Sequence, residues 1–180
     1  MVVFIEFHLY RSSAMGMIMI LRKVSEPQLQ QLLAEPDLIL DLVDELAPAG
    51  QELDLDKAWH GLHFMLTGSG WEGPEELAYL MDGGQVIGNE EEHSVGLGPA
   101  RGLTNAEVSQ FAAALGRLSE SEFRLRYDSA AMDELEIYPV GWSKEEKPEE
   151  TVDWLVTSFN ELKQFVGDAA IAKQGLLVCI

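Results

Sequence analysis

Residues 56–68 read DKAWHGLHFMLTG, and their apolar side chains recur at the spacing of a helix. One stripe of this helix would contain Trp59, Leu62, His63 and Leu66. The glycine-rich run over 68–73 breaks the pattern, because glycine favours loops over helix interiors. We therefore predict a core helix over 56–66, with His63 pointing inward and His60 lying to one side of the stripe.

Further helical patterns flank this stretch on both sides. Ser25 is a predicted N-cap, and Thr104 and Ser119 each begin a capping box that Glu107 and Glu122 complete. The longest pattern runs from residue 151 to 173, with Trp154 among its inward positions. Together the predicted helices cover residues 25–35, 38–47, 56–66, 74–82, 104–118, 119–129, 130–136 and 151–173.

Strand patterns are short and lie near both ends of the chain and in its middle. MIMILRKV at 17–24 and LLVCI at 176–180 are apolar runs, QVIG at 85–88 is shorter, and SVGLGPARG at 94–102 has room for a strand and a turn. The segment 48–56 is predicted to be a loop. Because strands and helices do not alternate regularly, we predict one α+β domain, helix-rich, whose small sheet of short strands is covered by helices on one side.

Composition and charge exclude several classes of function. The chain has 12 Lys and Arg against 31 Asp and Glu, a formal net charge of −19, and no basic cluster. Binding to nucleic acid or to an anionic membrane surface requires a basic patch, so neither is expected.

The single cysteine, Cys179, cannot form an internal disulfide, which favours a reducing, cytoplasmic location. No apolar run is long enough for a transmembrane helix. The acidity suits a basic protein partner.

The first residues of the chain do not have the pattern of a signal peptide. Residues 1–14 lack the basic start of a signal peptide, and Glu6 and His8 interrupt their apolar stretch. A second possible start, Met15, follows directly. We expect residues 1–14 to be an N-terminal extension and residues 15–180 to form the domain.

Several polar groups are candidate site residues, each with a structural alternative. His60 and His63, with Asp56 and His93, have a spacing that admits a zinc ion, but the motif is weak and a buried histidine bonded to a carbonyl is favoured. His63 has no recognisable nucleophile partner for base catalysis. Asp133, Glu134 and Glu136 are close in sequence, as chance predicts in so acidic a chain.

Two glycine-rich segments are candidate binding loops. In GLGPARGLT, Arg101 precedes a helix start at Thr104, an arrangement that can hold a carboxylate or phosphate, although a strand-to-helix turn with a paired arginine is favoured. In LTGSGWEG, Trp71 lies between glycines. It is a candidate interface anchor if exposed and a core residue if it folds back, and the two readings weigh equally.

Four segments in order carry a resemblance to a known family. They begin at Met15-Gly16-Met17-Ile18 and continue with LDLDKAWHGLHFMLTG, GPARGLTNAEV and FRLRYDSAAMDELEIYP, ahead of a long acidic helix and a short apolar strand. Over residues 15–180 the chain resembles the YfbM-like family of bacterial proteins of unknown function. The resemblance implies a single α+β domain in the bacterial cytoplasm and no assigned activity. It points to His63, Thr67 and Arg101 as site residues, and His60 is not part of the pattern.

Two functional hypotheses follow. The first is a non-catalytic, acidic protein-binding module, immunity- or regulator-like, with Trp71 in its interface and a basic protein as its partner. The second is a small-molecule-binding protein or enzyme with a site around His63, Thr67 and Arg101. No catalytic motif, metal site or cofactor motif is recognised, so the sequence favours a protein that is not an enzyme.

Overall fold

The structure, a computed structural model, describes residues 16–180, and the predicted extension over 1–14 lies outside them. Within the described residues one antiparallel sheet has the strand order β2-β1-β5-β4-β3, so the strand latest in sequence lies at its centre. The strands are β1 Ile20–Val24, β2 Glu52–Asp54, β3 Gln85–Val86, β4 Arg101–Leu103 and β5 Gly175–Cys179.

Seven α-helices surround this sheet in the described part of the chain. They are α1 Glu26–Ala34, α2 Leu38–Asp44, α3 Ala58–Thr67, α4 Asn105–Gly116, α5 Glu120–Arg124, α6 Ser129–Glu134 and α7 Pro148–Ile171. Two 3-10 turns, Glu75–Leu77 and Trp142–Lys144, complete the helical structure. The α+β class and the helix-rich single domain are thus confirmed.

Helices cover both faces of the sheet, so the expectation that they cover one face is wrong. Side chains alternate along β5, and they send Leu176 into the larger core with α3, α4 and α7. Leu177 faces a smaller core with α1 and α2. Because consecutive apolar residues make up β5, it is buried on both sides, as a strand between two helical layers must be.

Arg22 of β1 attaches α2 to the second face. Its side chain is only 7 % exposed. The guanidinium donates to the carbonyl of Leu42 and, at 3.1 Å, to that of Glu45. These carbonyls belong to the last turn of α2, whose final C=O groups have no partner within the helix. Among the described residues this buried charge thereby closes a helix end and forms no ion pair.

Several predicted boundaries differ from the structure. The segment 48–56, predicted to be a loop, contains β2, which pairs Leu53 with Leu21 of β1. The predicted helix over 74–82 is only the 3-10 turn Glu75–Leu77. The long helix α7 starts earlier than predicted, at Pro148, because proline is well tolerated in a first helical turn. Trp154, predicted to face inward, is 36 % exposed.

Candidate functional site

Helix α3 runs through the centre of the molecule. All of its residues from Ala58 to Leu66 are buried. Gly61 is required by close packing, since a Cβ there would lie 3.0 Å from side-chain carbons of both Leu155 and Trp142. Both histidines of the opening stretch are therefore inside the protein, and the inward position predicted for His63 is confirmed.

His60 joins three segments of the chain, a role that sequence reasoning missed. Its Nε2 lies 2.8 Å from the carbonyl oxygen of Gly70, and its Nδ1 accepts a hydrogen bond of 2.9 Å from the backbone N–H of Tyr138. Only the neutral ring with its proton on Nε2 satisfies both bonds. Burial lowers the pKa of His60, and the hydrogen bond to Gly70 opposes that shift. His60 is thus a fixed, uncharged connector.

Aromatic rings extend this connection to the surface. The Trp59 and His60 rings stack with centroids 4.8 Å apart, and the Trp71 ring lies 4.6 Å from His60 at an angle of 48°. Tyr138 stacks on Trp59 at 5.9 Å. Trp71 is nevertheless 61 % exposed. Its indole is therefore supported from beneath by a buried ring while most of its surface faces solvent.

His63, one turn later, is buried in a different manner. It is fully buried, and within residues 16–180 neither ring nitrogen has a hydrogen-bond partner. Burial lowers its pKa to about 4, and repulsion by His60 whenever that ring is protonated, and by the charge of Arg101, acts in the same direction. The Glu72 backbone, which approaches the ring without the geometry of a hydrogen bond, and the charge of Asp82 oppose the shift only in part. His63 is therefore a neutral ring in the core at ordinary pH.

Thr67 closes the C-terminal end of α3. Its hydroxyl donates to the carbonyl of His63 at 2.8 Å and accepts from the backbone N–H of Ser69 at 3.1 Å. Gly68 follows with φ 76°, the left-handed conformation that commonly ends a helix. A Cβ on Gly73 would lie 2.4 Å from the Thr67 methyl group, so the loop folds closely over this residue. The hydroxyl is thus engaged in shaping the helix end.

Arg101 binds main-chain carbonyls. It donates to Gly83 at 2.7 Å and to Leu80 at 2.6 Å, with a longer bond of 3.4 Å to Tyr79. Burial lowers the pKa of Arg101, and the negative charge of Asp82 opposes that shift. The arginine therefore fixes the turn over 79–83 against the sheet.

The helix start after Arg101 already holds carboxylates of the chain itself. Glu107 accepts from the backbone N–H of Thr104 at 2.7 Å and from that of Gly84 at 3.2 Å. Glu26 of α1 accepts from the backbone N–H of Asn105 at 3.2 Å. The positive end of the α4 dipole, considered above as an anion site, is thus neutralised internally.

The three predicted site residues do not line one common cavity. Arg101 lines a cavity of about 340 Å³ with Val86, Leu97 and Ile180, among others. Thr67 lines another, of about 290 Å³, with Arg126. His63 lines neither. Ligand binding by these residues stays a prediction.

The third histidine of the described residues also has hydrogen-bond partners. His93 Nδ1 accepts from the backbone N–H of Asn89, and its Nε2 lies 3.2 Å from Asp37. Among the residues that the structure describes, no three His, Cys, Asp or Glu side chains come together as metal ligands would. No helix within residues 16–180 combines the length and apolar character needed to cross a bilayer.

Comparison with known proteins places the chain in a family. Residues 15–179 match the family described as a domain of unknown function, DUF1877, and the chain belongs to this family. It is 32 % identical over 129 residues to Protein YfbM of Escherichia coli strain K12, an alignment covering 69 % of this chain and 74 % of YfbM. The crystal structure of YfbM, described there as a protein of unknown function, matches with a TM-score of 0.69 at 22 % identity, covering 90 % of this chain and 98 % of that one. The structural likeness shows the fold.

Proposed function

We propose that this protein is a non-catalytic, acidic binding module of the bacterial cytoplasm that engages a basic protein through a surface centred on Trp71. The observation that carries the proposal is the large exposed indole of Trp71 held against the buried ring of His60. Tryptophan is among the residues most enriched at interface hot spots.

Preorganisation supports this role for Trp71. An exposed tryptophan in a glycine-rich loop would ordinarily lose conformational freedom on binding, which weakens association. Here the loop is fixed before any partner arrives, because Gly70 accepts from His60 and packs against the 135–137 segment. A Cβ on Gly70 would lie 3.5 Å from Ile137 Cδ1 and 3.7 Å from the carbonyl oxygen of Leu135. Leu135 is itself 44 % exposed and extends the apolar surface.

Charge supports the choice of partner. A net charge of −19 attracts basic proteins over a distance set by the ionic strength and repels nucleic acid and anionic membranes. Such steering accelerates encounter, while an apolar anchor slows dissociation. The single cysteine supports a reducing compartment for the encounter.

The test is capture of partners from bacterial lysates on the immobilised full chain. Trp71→Ala is compared with Ile171→Ala, which removes another large apolar side chain, 84 % exposed, at the end of α7. We expect a basic protein to be retained by the wild type and by Ile171→Ala, lost with Trp71→Ala, and released as salt approaches about 1 M, where charges are screened within about 3 Å.

Circular dichroism melts of all three proteins establish that each variant is folded. Equal capture by the wild type and by Trp71→Ala excludes the proposed anchor. Capture that salt does not weaken excludes the electrostatic part of the proposal.

A further inference from the structure

A groove lies where the chain passes from the 139–142 segment into the first turns of α7. It has a volume of about 350 Å³. We call it the 139–154 groove, and its lining residues are Pro139, Val140, Trp142, Glu145, Glu150, Thr151 and Trp154. It combines two indoles, two carboxylates and the exposed apolar side chain of Val140, which is 72 % exposed.

The wall formed by Trp142 is fixed by a network centred on Asp133. The Asp133 carboxylate accepts from the backbone N–H groups of Gly141, Trp142 and Ser143 at 2.7–3.0 Å, and from the Ser143 hydroxyl. The Trp142 Nε1–H donates to the carbonyl of Ile137 at 2.7 Å. Trp142 is only 3 % exposed, and these bonds hold it in place. The groove therefore has a rigid wall before any ligand is present.

The groove is also lined by an accessible aromatic ring. Trp154 lies in α7 and is 36 % exposed, although its neighbour Leu155 is fully buried. An indole face near carboxylates is a favourable position for a cation, because the ring quadrupole and the negative charges act together.

The two carboxylates of the groove are not neutralised by a buried cation. Within residues 16–180 the ion pair of Glu150 is with Lys147 at 2.6 Å, and both side chains are more than two-thirds exposed. Exposed ion pairs of this kind contribute little to stability, so Glu150 can exchange Lys147 for another cation. Glu145 has no ion pair within residues 16–180. Within residues 16–180 the groove therefore combines Glu145, which has no ion pair, with Glu150 in an exposed pair with Lys147, beside the partly exposed indole of Trp154.

We infer that the 139–154 groove receives an arginine side chain of the basic partner, whose guanidinium stacks on Trp154 and pairs with Glu145 and Glu150. This inference rests on the proposed function, since it names the chemistry by which the partner is recognised. A guanidinium fits better than an ammonium, because it is planar, stacks on aromatic faces and presents several N–H groups to carboxylates.

The experiment is an NMR titration of the full chain with a blocked Gly-Arg-Gly-Arg-Gly peptide, followed through the Trp154 indole N–H. The same peptide with citrulline in place of arginine keeps the shape and removes the charge. We expect shifts of Trp154 with arginine and not with citrulline, and a Kd that Trp154→Ala raises about fivefold.

A matched pair of charge variants separates local contact from overall attraction. Glu145→Gln/Glu150→Gln removes two carboxylates of the groove, whereas Glu149→Gln/Glu161→Gln removes two exposed carboxylates that do not line it. We expect the first pair to raise the Kd about fivefold and the second less than about twofold, the range expected for exposed charge pairs.

Equal effects of the two variant pairs, or an unmoved Trp154 indole, overturn the inference. A lysine peptide that binds as tightly as the arginine peptide overturns its guanidinium specificity. The proposed function is tested separately by Trp71→Ala, which leaves the groove intact. If a partner is captured through Trp71 but the arginine peptide does not bind, only the inference about the groove is refuted. If the arginine peptide binds but capture does not depend on Trp71, only the proposed Trp71 surface is refuted.

Discussion

The two histidines of α3 allow a matched test of what a buried polar ring contributes. His60 and His63 belong to the same helix and are both buried, with exposures of 1 % and 0 %. His60 makes two hydrogen bonds to the main chain, and His63 makes none with the described residues. Replacing each with leucine, a side chain of similar size, should change stability in opposite directions.

The size of each change in the free energy of unfolding follows from the polar groups that the substitution leaves without partners. His60→Leu leaves the carbonyl of Gly70 and the N–H of Tyr138 without partners, and each unsatisfied buried group costs about 1–3 kcal/mol. We therefore expect a loss of about 2–6 kcal/mol in the free energy of unfolding. His63→Leu removes two nitrogens that are already unpaired and adds apolar contact. After a repacking cost below about 1.5 kcal/mol, its expected change lies between about 0 and +2 kcal/mol.

The assay is urea unfolding of the wild type and both variants near neutral pH, with stability obtained by linear extrapolation. Unchanged m-values show that the variants share one folded state with the wild type. A loss with His63→Leu as large as the loss with His60→Leu would refute the reasoning, because it would mean that hydrogen bonding does not distinguish the two rings.

Three further predictions test other features of the structure. The pKa of His63 is about 4 in the folded protein against 6.5 ordinarily, so below pH 6.5 the unfolded chain binds the proton first and stability falls toward pH 4. Between about pH 7 and pH 5 the wild type should lose about 2 kcal/mol more than His63→Leu in parallel urea melts. Arg101→Gln breaks the charged bonds to Leu80 and Gly83 and should lower stability by about 2–4 kcal/mol in the same assay, with the loss largely independent of salt because the acceptors are neutral carbonyls. Thr104→Ala removes the capping hydroxyl of α4 and should cost about 1 kcal/mol by thermal or urea melts, against little change for the exposed Ala113→Ser in the same helix.

Local chemistry made several parts of the fold predictable. The caps at Ser25, Thr104 and Ser119 all form as predicted, because a capping side chain bonds backbone groups only two or three residues away. The first and last strands are predictable from the apolar runs MIMIL at 17–21 and LLVCI at 176–180. The strand β2 was not recognised, because its outer residues Glu52 and Asp54 are exposed and only pairing with β1 makes it a strand.

The site was less predictable, because its contacts join distant parts of the chain. His60 lies 10 residues from one hydrogen-bond partner and 78 from the other, and no periodicity encodes such partners. The sequence favours a strand-to-helix turn in which Arg101 pairs with a nearby acidic side chain. Instead, Arg101 donates to main-chain carbonyls that a tight turn leaves without helical partners. The sequence pattern of that segment predicts a regular helix, so it does not reveal these acceptors.

The order of the strands has a consequence for how this protein is made. β5 lies between β1 and β4, and these two strands do not pair with each other in the sheet. On a ribosome they leave the tunnel long before β5, so until β5 emerges the two halves of the sheet, β2-β1 and β4-β3, lack the strand that joins them. The residues 175–179 then join both halves at once, with Ile20 placed opposite Cys179 across an intervening chain of more than 150 residues. The protein therefore acquires its sheet in a late, non-local step, and a nascent chain stalled after α7 offers edge strands to chaperones or to other nascent chains.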